Sequence, residues 1–314
     1  WRSTPGRVVR IHHLLVGRVM SAMKGTAVEE RMEHIRMERR GSVGLITMDR
    51  PDRFNALDVR MAQDLRKAGL RYARDEEIRC VVLAGGDRVF CSGADLKYVR
   101  QQGDEQDLSY LQPEAREVEL GYGPSFKQIL EYIHSTISEI KRAQKPFIAA
   151  VKGIAAAGGF GLAMSCDLVF ASEDATFEWA YHKTGLTGAE SSTFFLPRLV
   201  GLRKAMELML LNPRLDARAA LELGLINGIF PRETFDEQVM TVAEKLASGP
   251  TRAFGIAKSL INEAAGVDRL DYHLAKELDN LTRIAESGDF AEGLDSFFGK
   301  REAQFQGREA TEDE

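Results

Sequence analysis

The sequence predicts an α/β fold with parallel strands, followed by a helical C-terminal third. Cys80–Ala84 (CVVLA) and Pro146–Val151 (PFIAAV) are continuous apolar runs, the pattern of strands buried on both faces of a sheet. Helical patterns alternate with such runs, and this alternation is typical of a parallel sheet with crossover helices. After Pro197 helical patterns follow one another.

The individual elements follow in order along the chain. Asp58 is the predicted N-cap of the first helix, because its side chain can accept hydrogen bonds from the first helical amides. Gln101–Pro124 is polar and irregular and is predicted to form a mobile flap. The predicted strands are Ile35–Arg39, Val43–Met48, Cys80–Ala84, Pro146–Val151 and Asp167–Ala171. The predicted helices are Val59–Arg74, Ser125–Ala143, Leu202–Leu211, Ala217–Leu223, Thr234–Ala247, Pro250–Ala265, Leu270–Ser287 and Phe290–Phe298.

The composition is that of a globular protein and argues against several kinds of partner. Of 314 residues, 44% are hydrophobic and 28% are charged, with a formal net charge of −5, which gives no reason to expect nucleic acid. No apolar run approaches the ~20 residues that span a bilayer, so we expect no membrane partner. Cys80, Cys91 and Cys166 fit no metal-binding spacing and cannot all pair, which indicates a reducing, cytoplasmic setting.

The first residues differ from the rest of the chain. Trp1–Thr26 contains five basic residues and no acidic residue. This bias resembles an organelle transit peptide, which would imply an organelle matrix. The alternative is translated upstream sequence or added residues ahead of the true start. That start would be Met20, Met23, Met32 or Met37.

The stretch Ile154–Asp167 (IAAAGGFGLAMSCD) is rich in small residues. A buried strand leads into a glycine turn and then into a helix that is predicted to begin near Gly159. The first amides of a helix lack partners and carry partial positive charge, and glycine lets an acceptor approach them without meeting a Cβ. The alternative is that these glycines only allow close packing of strand and helix.

A second strand end, Phe90–Asp95 (FCSGAD), has the same form, with a glycine between a strand and a presumed helix. Two such turns, at the carboxyl ends of two strands, can each direct one amide at a single oxygen. That arrangement is an oxyanion hole, in which one donor contributes ~3 kcal/mol to catalysis.

With these motifs the chain resembles the crotonase superfamily, the enoyl-CoA hydratase/isomerase family, over roughly residues 33–305. The resemblance implies a spiral of repeated ββα units and a homotrimer or dimer of trimers, with LDSFF as a suitable apolar interface stripe. We expect an atypical extension over residues 1–30, a spiral core over 31–230 and a helical, oligomer-forming region over 231–314. The matching segments are RPDRFNAL, FCSGADL, KPFIAAVKGIAAAGGFGLAMSCDLVFAS, LPRLVG, KAMELML, ARAALELGLIN and GDFAEGLDSFFGKR.

The resemblance also assigns binding roles. By it, the amides of Ala94 and Gly158 form the oxyanion hole and bind the thioester carbonyl of an acyl-CoA. Coenzyme A enters as part of the substrate, and neither a further cofactor nor a metal is expected. The basic residues of the CoA set could equally be surface charges. The residues expected to contact CoA are Arg53, Ala56, Asp95, Leu96, Lys97, Gly159 and Lys300.

The two glutamates of the family's hydratases have no counterpart here. The resemblance places them at Gly161 and Tyr181, neither of which can act as a carboxylate base. We expect Gly161 to make room for a larger acyl group. Tyr181 is expected to form a pocket wall. Hydrogen bonding or proton transfer is the alternative, although an ordinary pKa near ~10 makes tyrosine a poor base.

A single carboxylate is available later in the chain. The segment from ATFEWAY to KAMELML resembles the 4-chlorobenzoyl-CoA dehalogenases, whose nucleophilic Asp falls on Ala189 here. Glu190 is the next residue, and the glycine-containing loop before it could turn it inward. We predict Glu190 as the catalytic base; the alternative is a side chain that faces solvent or pairs with an arginine.

Other residues are weaker candidates. We expect His134 to be a packed helix residue and His182 to lie at the surface, whereas Glu117 and Glu119 on the flap could reach the acyl pocket. The remaining weaker candidates are Glu178, Ser191 and Ser192.

Three functions are compatible with these residues. The leading one is an acyl-CoA isomerase in which one carboxylate removes and returns a proton through a thioester enolate. The second is nucleophilic or hydrolytic chemistry on an aromatic acyl-CoA, as in the dehalogenases. The third is a non-catalytic binder of CoA esters, because the usual acids are absent.

Overall fold

A computed structural model of the protein describes residues 28–104, 107 and 121–307. Two sheets and a set of covering helices make up these ranges. The strands are β1 Val28–Arg31, β2 Ile35–Arg40, β3 Val43–Met48, β4 Cys80–Ala84, β5 Val89–Cys91, β6 Phe147–Val151, β7 Ile154–Ala156, β8 Leu168–Ser172, β9 Thr176–Glu178, β10 Leu215–Asp216 and β11 Gly228–Phe230. The α-helices are α1 Val59–Arg74, α2 Leu96–Arg100, α3 Gly123–Arg142, α4 Gly158–Ser165, α5 Ser192–Val200, α6 Leu202–Leu211, α7 Ala217–Glu222, α8 Phe235–Ser248, α9 Thr251–Ala264, α10 Leu270–Ile284 and α11 Gly288–Gly299.

The larger sheet contains the parallel strands that the apolar runs predict. Among the described residues its order is β1-β2-β3-β4-β6-β8-β11. The pairings up to β3 are antiparallel, and those from β3 to β11 are parallel. Strand β6 is buried along its whole length, because both faces of the sheet are covered. This burial explains why its sequence is continuously apolar rather than alternating.

A smaller sheet is built from the short strands that follow the main ones. Its order within the described chain is β10-β9-β7-β5, and β5, β7 and β9 are parallel. Strands β5, β7 and β9 come directly after β4, β6 and β8, so three successive units give one strand to each sheet. Helices α2 and α4 follow β5 and β7. The ββα spiral implied by the resemblance is therefore confirmed.

Most predicted elements are present, with ends shifted by a few residues. Asp58 caps α1, since its Oδ1 accepts from the amide of Met61 at 2.8 Å. Helix α4 begins at Gly158 rather than Gly159. Strands β5, β7 and β9 were not predicted, because three residues are too few to show an alternating pattern. Of the predicted flap, residues 105–106 and 108–120 lie outside the described residues.

The folded chain starts earlier than the predicted boundary at residue 31. Strand β1 pairs antiparallel with β2, with Val28 opposite Arg39. Residues 28–30 thus belong to the larger sheet rather than to the extension. Residues 1–27 lie outside the described part of the chain.

Exposed apolar side chains lie on the helices after Pro197. Leu202, Met206 and Leu210 recur every four residues on α6 and are 48–66% exposed. In the LDSFF stripe, Leu294 is buried, whereas its two phenylalanines line the cavity described below. An exposed apolar face of this kind on α6 is suited to contact with a second copy of this chain. The predicted trimer stays a prediction. No helix in the described ranges is long and apolar enough to cross a membrane.

Candidate active site

A cavity of about 460 Å³ opens where the strands of the smaller sheet end. Residues after β5, β7 and β9 form one side of it. Apolar side chains from three helices face the opening: Phe126 of α3, Leu281 of α10, and Phe297 and Phe298 of α11. The cavity therefore combines exposed backbone at strand ends with an aromatic wall. Ligand-binding pockets commonly have this composition, in which apolar side chains surround the ligand and a few polar protein groups fix its orientation.

Two strand ends meet at the base of this cavity. Gly93, after β5, has φ +94°, and a Cβ there would lie 2.7 Å from the Cβ of Ala157 and 3.2 Å from the nitrogen of Gly158. Only glycine tolerates both this conformation and this close approach. The predicted pair of amide donors, Ala94 and Gly158, thus lies at one junction.

Both predicted donors have amides without protein acceptors. Leu57 forms a parallel bridge with Ala94 and makes its backbone hydrogen bonds to the residues just before and just after Ala94. Gly158 is the first residue of α4, and the amides of a helix's first turn lack helical partners. Among the described residues, neither amide donates to a protein acceptor. Ala94 lines the cavity directly, and Gly158 adjoins two lining residues, its chain neighbour Ala157 and the carboxylate of Glu190.

Glu190 faces this junction and not solvent. Its backbone is left-handed, with φ +49°, and its side chain is buried. Oε2 accepts a hydrogen bond of 2.5 Å from the hydroxyl of Tyr181. Oε1 points at Gly158, 2.8 Å from where a Cβ would stand. Burial raises the pKa of Glu190 from 4.5 to about 7, against the opposing hydrogen bond from Tyr181.

The expectation that Gly161 makes room for a larger acyl group is wrong. A Cβ at residue 161 would lie 2.4 Å from the carbonyl oxygen of Glu190 and 3.0 Å from its Cβ. The absent side chain therefore makes room for the backbone of Glu190. At the helix position where the family's hydratases are expected to have a glutamate, this chain packs a glutamate from the following loop.

Tyr181 holds the carboxylate rather than acting as a base. Its hydroxyl lies 2.5 Å from Oε2 of Glu190 and 3.0 Å from the carbonyl oxygen of Ala189. Burial, together with the charge of Glu190, raises the pKa of Tyr181 well above 10. The phenol is thus a neutral donor. Ala189, where the resemblance places the dehalogenase Asp, is fully buried.

The predicted CoA contacts divide into two groups. Asp95 is held in place by basic side chains, since its carboxylate binds Arg53 at 2.6 Å and Arg50 at 2.9 Å. Burial opposes ionisation, but these partners keep the pKa of Asp95 below its ordinary value. Arg53 is therefore already paired within the protein. The predicted contacts that line the cavity are Arg53, Ala56, Asp95, Leu96 and Lys97.

Two other predicted CoA contacts lie elsewhere. A Cβ on Gly159 would lie 2.1 Å from the carbonyl oxygen of Cys91, so this glycine allows α4 to pack on β5. Gly159 does not line the cavity. Lys300 follows the last helix in a left-handed conformation and is likewise absent from the cavity wall. The assignment of these two residues as CoA contacts stays a prediction.

Another carboxylate of the cavity wall, that of Glu178, is committed to ion pairs. Glu178 accepts from Asn212 at 2.8 Å and from Arg214 at 3.3 Å, and it also pairs with Lys183. Burial disfavours its charge, but Lys183 and the other partners hold the pKa of Glu178 below its ordinary value. Glu178 is therefore a poor proton acceptor.

The remaining weaker candidates that the structure describes do not line the cavity. His134 is buried on α3, and burial lowers its pKa to about 3. His182 is partly buried in a 3-10 turn rather than fully at the surface, and its buried Nδ1 has no hydrogen-bond partner in the described part of the chain. Ser192 donates to the carbonyl oxygen of Ala189, and the Oγ of Ser191 has no partner among the described residues. Glu117 and Glu119 lie outside the described residues.

Sequence reasoning missed Glu277. This carboxylate of α10 accepts the amides of Ser191 at 2.8 Å and Thr193 at 3.1 Å, directly after the predicted base. A signal was present, because Leu270, Leu274, Glu277 and Leu281 form the buried stripe of α10. A carboxylate in an apolar stripe requires a buried partner.

The fold and the site together define a member of the crotonase superfamily. The chain belongs to the enoyl-CoA hydratase/isomerase family, whose model of that description matches residues 38–120 and 124–308. It is 34% identical over 279 residues to 1,2-epoxyphenylacetyl-CoA isomerase of Escherichia coli (strain K12), covering 88% of this chain and 100% of that protein. It is 32% identical over 267 residues to 4-chlorobenzoyl coenzyme A dehalogenase-2 of Arthrobacter sp, covering 85% and 91%.

A solved structure shares the same fold. An enoyl-CoA hydratase from Mycobacterium avium subsp. paratuberculosis K-10 superposes with a TM-score of 0.75 at 30% identity, covering 88% of this chain and 100% of that chain. The protein is thus an acyl-CoA enzyme of this family. Its relatives carry the names of an isomerase, a dehalogenase and a hydratase, so the family alone does not select the reaction.

Proposed function

We propose that the protein isomerises an unsaturated acyl-CoA by shifting a carbon–carbon double bond, with Glu190 as the single catalytic base. The observation that carries this proposal is one buried carboxylate with a pKa of about 7 whose Oε1 faces Gly158. A base with a pKa near the working pH can both remove and return a proton efficiently.

The reaction begins when the thioester carbonyl accepts the amides of Ala94 and Gly158. Oε1 of Glu190 removes a proton from the carbon next to the carbonyl, and negative charge moves onto the carbonyl oxygen. The two amides stabilise that enolate, each by ~3 kcal/mol. Protonated Glu190 then delivers the proton two carbons further along, so that the double bond becomes conjugated with the thioester and nothing is gained or lost overall.

Water addition is disfavoured by the same geometry. The family's hydratases are expected to hold water between two glutamates, whereas here Glu178 is paired with Lys183, Asn212 and Arg214. Of the acidic side chains that line the described cavity wall, Glu190 alone combines full burial with a raised pKa. One base without a second acid supports proton shuttling rather than hydration.

The remaining features of the proposal concern the substrate and the assembly. We expect the CoA moiety to lie along Ala56 and Leu96, near the basic side chain of Lys97. We expect no cofactor beyond the CoA of the substrate. A homotrimer or dimer of trimers in the cytoplasm also belongs to this proposal, with the exposed α6 face as contact surface.

The test uses 3-enoyl-CoA substrates in deuterated water, with the wild type and Glu190→Gln compared. Isomerase activity produces 2-enoyl-CoA, which is followed by its ultraviolet absorbance, and part of the transferred hydrogen remains undeuterated because one buried base carries it. The glutamine variant is expected to bind the substrate and turn over at least about 10²-fold more slowly. Full activity of that variant contradicts the proposal.

A second candidate is nucleophilic chemistry on an aromatic acyl-CoA. The aromatic wall of Phe126, Phe297 and Phe298, with Tyr181 beside the carboxylate, supports an aromatic acyl group. In this case the Glu190 carboxylate attacks a ring carbon that bears a halide, and the halide leaves with its bonding electron pair, so that an aryl ester on Glu190 remains. Mass spectrometry of a quenched reaction detects this ester as an adduct on Glu190. Tight binding without turnover or adduct across both substrate classes indicates a CoA-ester binder.

A further inference from the structure

The turn that carries Glu190 is strained and needs external support. Glu190 and Ser191 both adopt left-handed backbone conformations, with φ of +49° and +62°. Two successive non-glycine residues in this region are costly and persist only where the surroundings hold them. Gly161 supplies the space for this turn, since a Cβ there would overlap the carbonyl of Glu190. Space alone does not hold the turn in place.

Glu277 supplies the hold from a distant helix. Its Oε2 accepts the amide of Ser191 at 2.8 Å, and its Oε1 accepts the amide of Thr193 at 3.1 Å and the Thr193 hydroxyl. These amides belong to the N-terminus of α5. Ser191 occupies the N-cap position but makes no side-chain cap hydrogen bond, so the carboxylate of Glu277 takes the capping role.

From these contacts we propose that Glu277 is a positioning residue that fixes the Glu190 carboxylate beside Gly158. The inference rests on the proposed function, because it assigns the support of the same catalytic base. Glu277 acts through the backbone on both sides of Ser191 and does not line the cavity. It lies 87 residues beyond Glu190 in the sequence, so only the packing of α10 against α5 brings the two together.

The charge of Glu277 also acts on Glu190. Three donors favour the ionised form of Glu277, although burial raises its pKa to about 7. His134 and His273 approach it at 3.7 Å from α3 and α10, and burial lowers the pKa of both, so neither supplies a positive charge at neutral pH.

The groups that face Glu190 are Tyr181, Glu277 and, from β5, Cys91. Tyr181 donates a hydrogen bond that favours the charged carboxylate, whereas the charge of Glu277 disfavours it. Burial raises the pKa of Cys91 to about 12, so its thiol is neutral. Loss of the Glu277 charge is therefore expected to make Glu190 ionise at lower pH.

The test is Glu277→Gln in the full chain, assayed for turnover across pH. The amide nitrogen of glutamine must face one of the two backbone donors, so the cap is broken on one side. We expect kcat to fall about 10²-fold, as for a misplacement of about 1 Å, with KM within about twofold. The acid limb of the kcat/KM profile is expected to move to lower pH, because the charge of Glu277 no longer opposes ionisation of Glu190.

Two further variants separate position from charge and from stability. Glu277→Asp keeps the charge but withdraws it from the amides, so kcat is expected to fall while the acid limb stays in place. Glu286→Gln is the matched control, since Glu286 accepts the amide of Gly123 at the start of α3, at 2.6 Å. Its kcat and acid limb are expected to match those of the wild type. If Glu277→Gln and Glu277→Asp both retain wild-type kcat and acid limb, the proposal is overturned.

A measurement without turnover keeps this inference separate from the proposed function. The pH-dependent difference in unfolding free energy between wild type and Glu190→Gln reports the ionisation of Glu190. If Glu277 positions Glu190, this difference changes when both proteins also carry Glu277→Gln. An unchanged difference refutes the Glu277 assignment, whereas full turnover by Glu190→Gln refutes only the catalytic one.

Discussion

Replacement of Glu190 by glutamine is expected to slow turnover at least about 10²-fold and to stabilise the protein at alkaline pH. The side chain is completely buried, and burial raises its pKa from 4.5 to about 7. Between these values the folded protein holds a proton that the unfolded chain has released. Wild-type stability therefore falls as the pH rises through this window, and the full cost is present above pH 7.

The size of the effect follows from the shift. A displacement of the pKa from 4.5 to about 7 corresponds to about 3 kcal/mol of destabilisation by the charged form. Glutamine keeps the volume and an acceptor for the hydroxyl of Tyr181 but cannot ionise. Glu190→Gln is expected to match the wild type within about 1 kcal/mol at pH 4.5 and to exceed its stability by about 3 kcal/mol at pH 8.

The assay is urea unfolding at several pH values, combined with turnover. A suitable comparison is Glu178→Gln in the same cavity wall, because ion pairs hold the pKa of Glu178 below its ordinary value. Glu178→Gln is therefore expected to be less stable than the wild type at neutral pH, whereas Glu190→Gln is expected to be more stable. A Glu190→Gln variant whose stability relative to wild type does not depend on pH would refute the assignment of a buried, proton-holding carboxylate.

Three further predictions concern the surroundings of this carboxylate. Gly161→Ala places a methyl group against the backbone of Glu190, so we expect about 1–3 kcal/mol of destabilisation in urea unfolding and a loss of kcat; unaltered kcat would show that the turn tolerates displacement. Tyr181→Phe removes the hydrogen bond that favours the ionised base, so the acid limb of kcat/KM is expected at higher pH than in wild type, and a downward shift contradicts this. Asp95→Asn leaves Arg53 without its buried partner, so we expect about 3 kcal/mol of lost stability by urea unfolding; a loss below about 0.5 kcal/mol would mean that the pair contributes little.

The main elements of the fold could be predicted from local sequence. Strand β4 is read directly from CVVLA and β6 from FIAAV, because burial on both faces requires uninterrupted apolar residues. Asp58 identifies the start of α1 for a similarly local reason, since capping involves a side chain and an amide three residues apart. The short strands β5 and β7 escaped prediction, although they present the two cavity-facing turns.

The candidate site was only partly predictable. The glycine turns that place Ala94 and Gly158 together are visible as motifs, and Glu190 is the carboxylate next to the position that the resemblance assigns to a nucleophile. Its orientation was not decidable from spacing, because a one-residue change in the turn reverses the direction of the side chain. The sequence does not predict the role of Gly161 either, because the backbone of Glu190, from a distant part of the chain, occupies the space that a side chain at residue 161 would need.

By itself, the sequence determined where the longer strands, most of the helices and the glycine turns lie, and which acids are absent from the expected positions. Those features depend on residues close together in the chain. Only the tertiary structure decided that Glu190 enters the space beside Gly161 and that Glu277 caps the helix after it. Both depend on contacts between residues about 30 to 90 positions apart, and the high cost of burying an unpartnered carboxylate makes such contacts decisive.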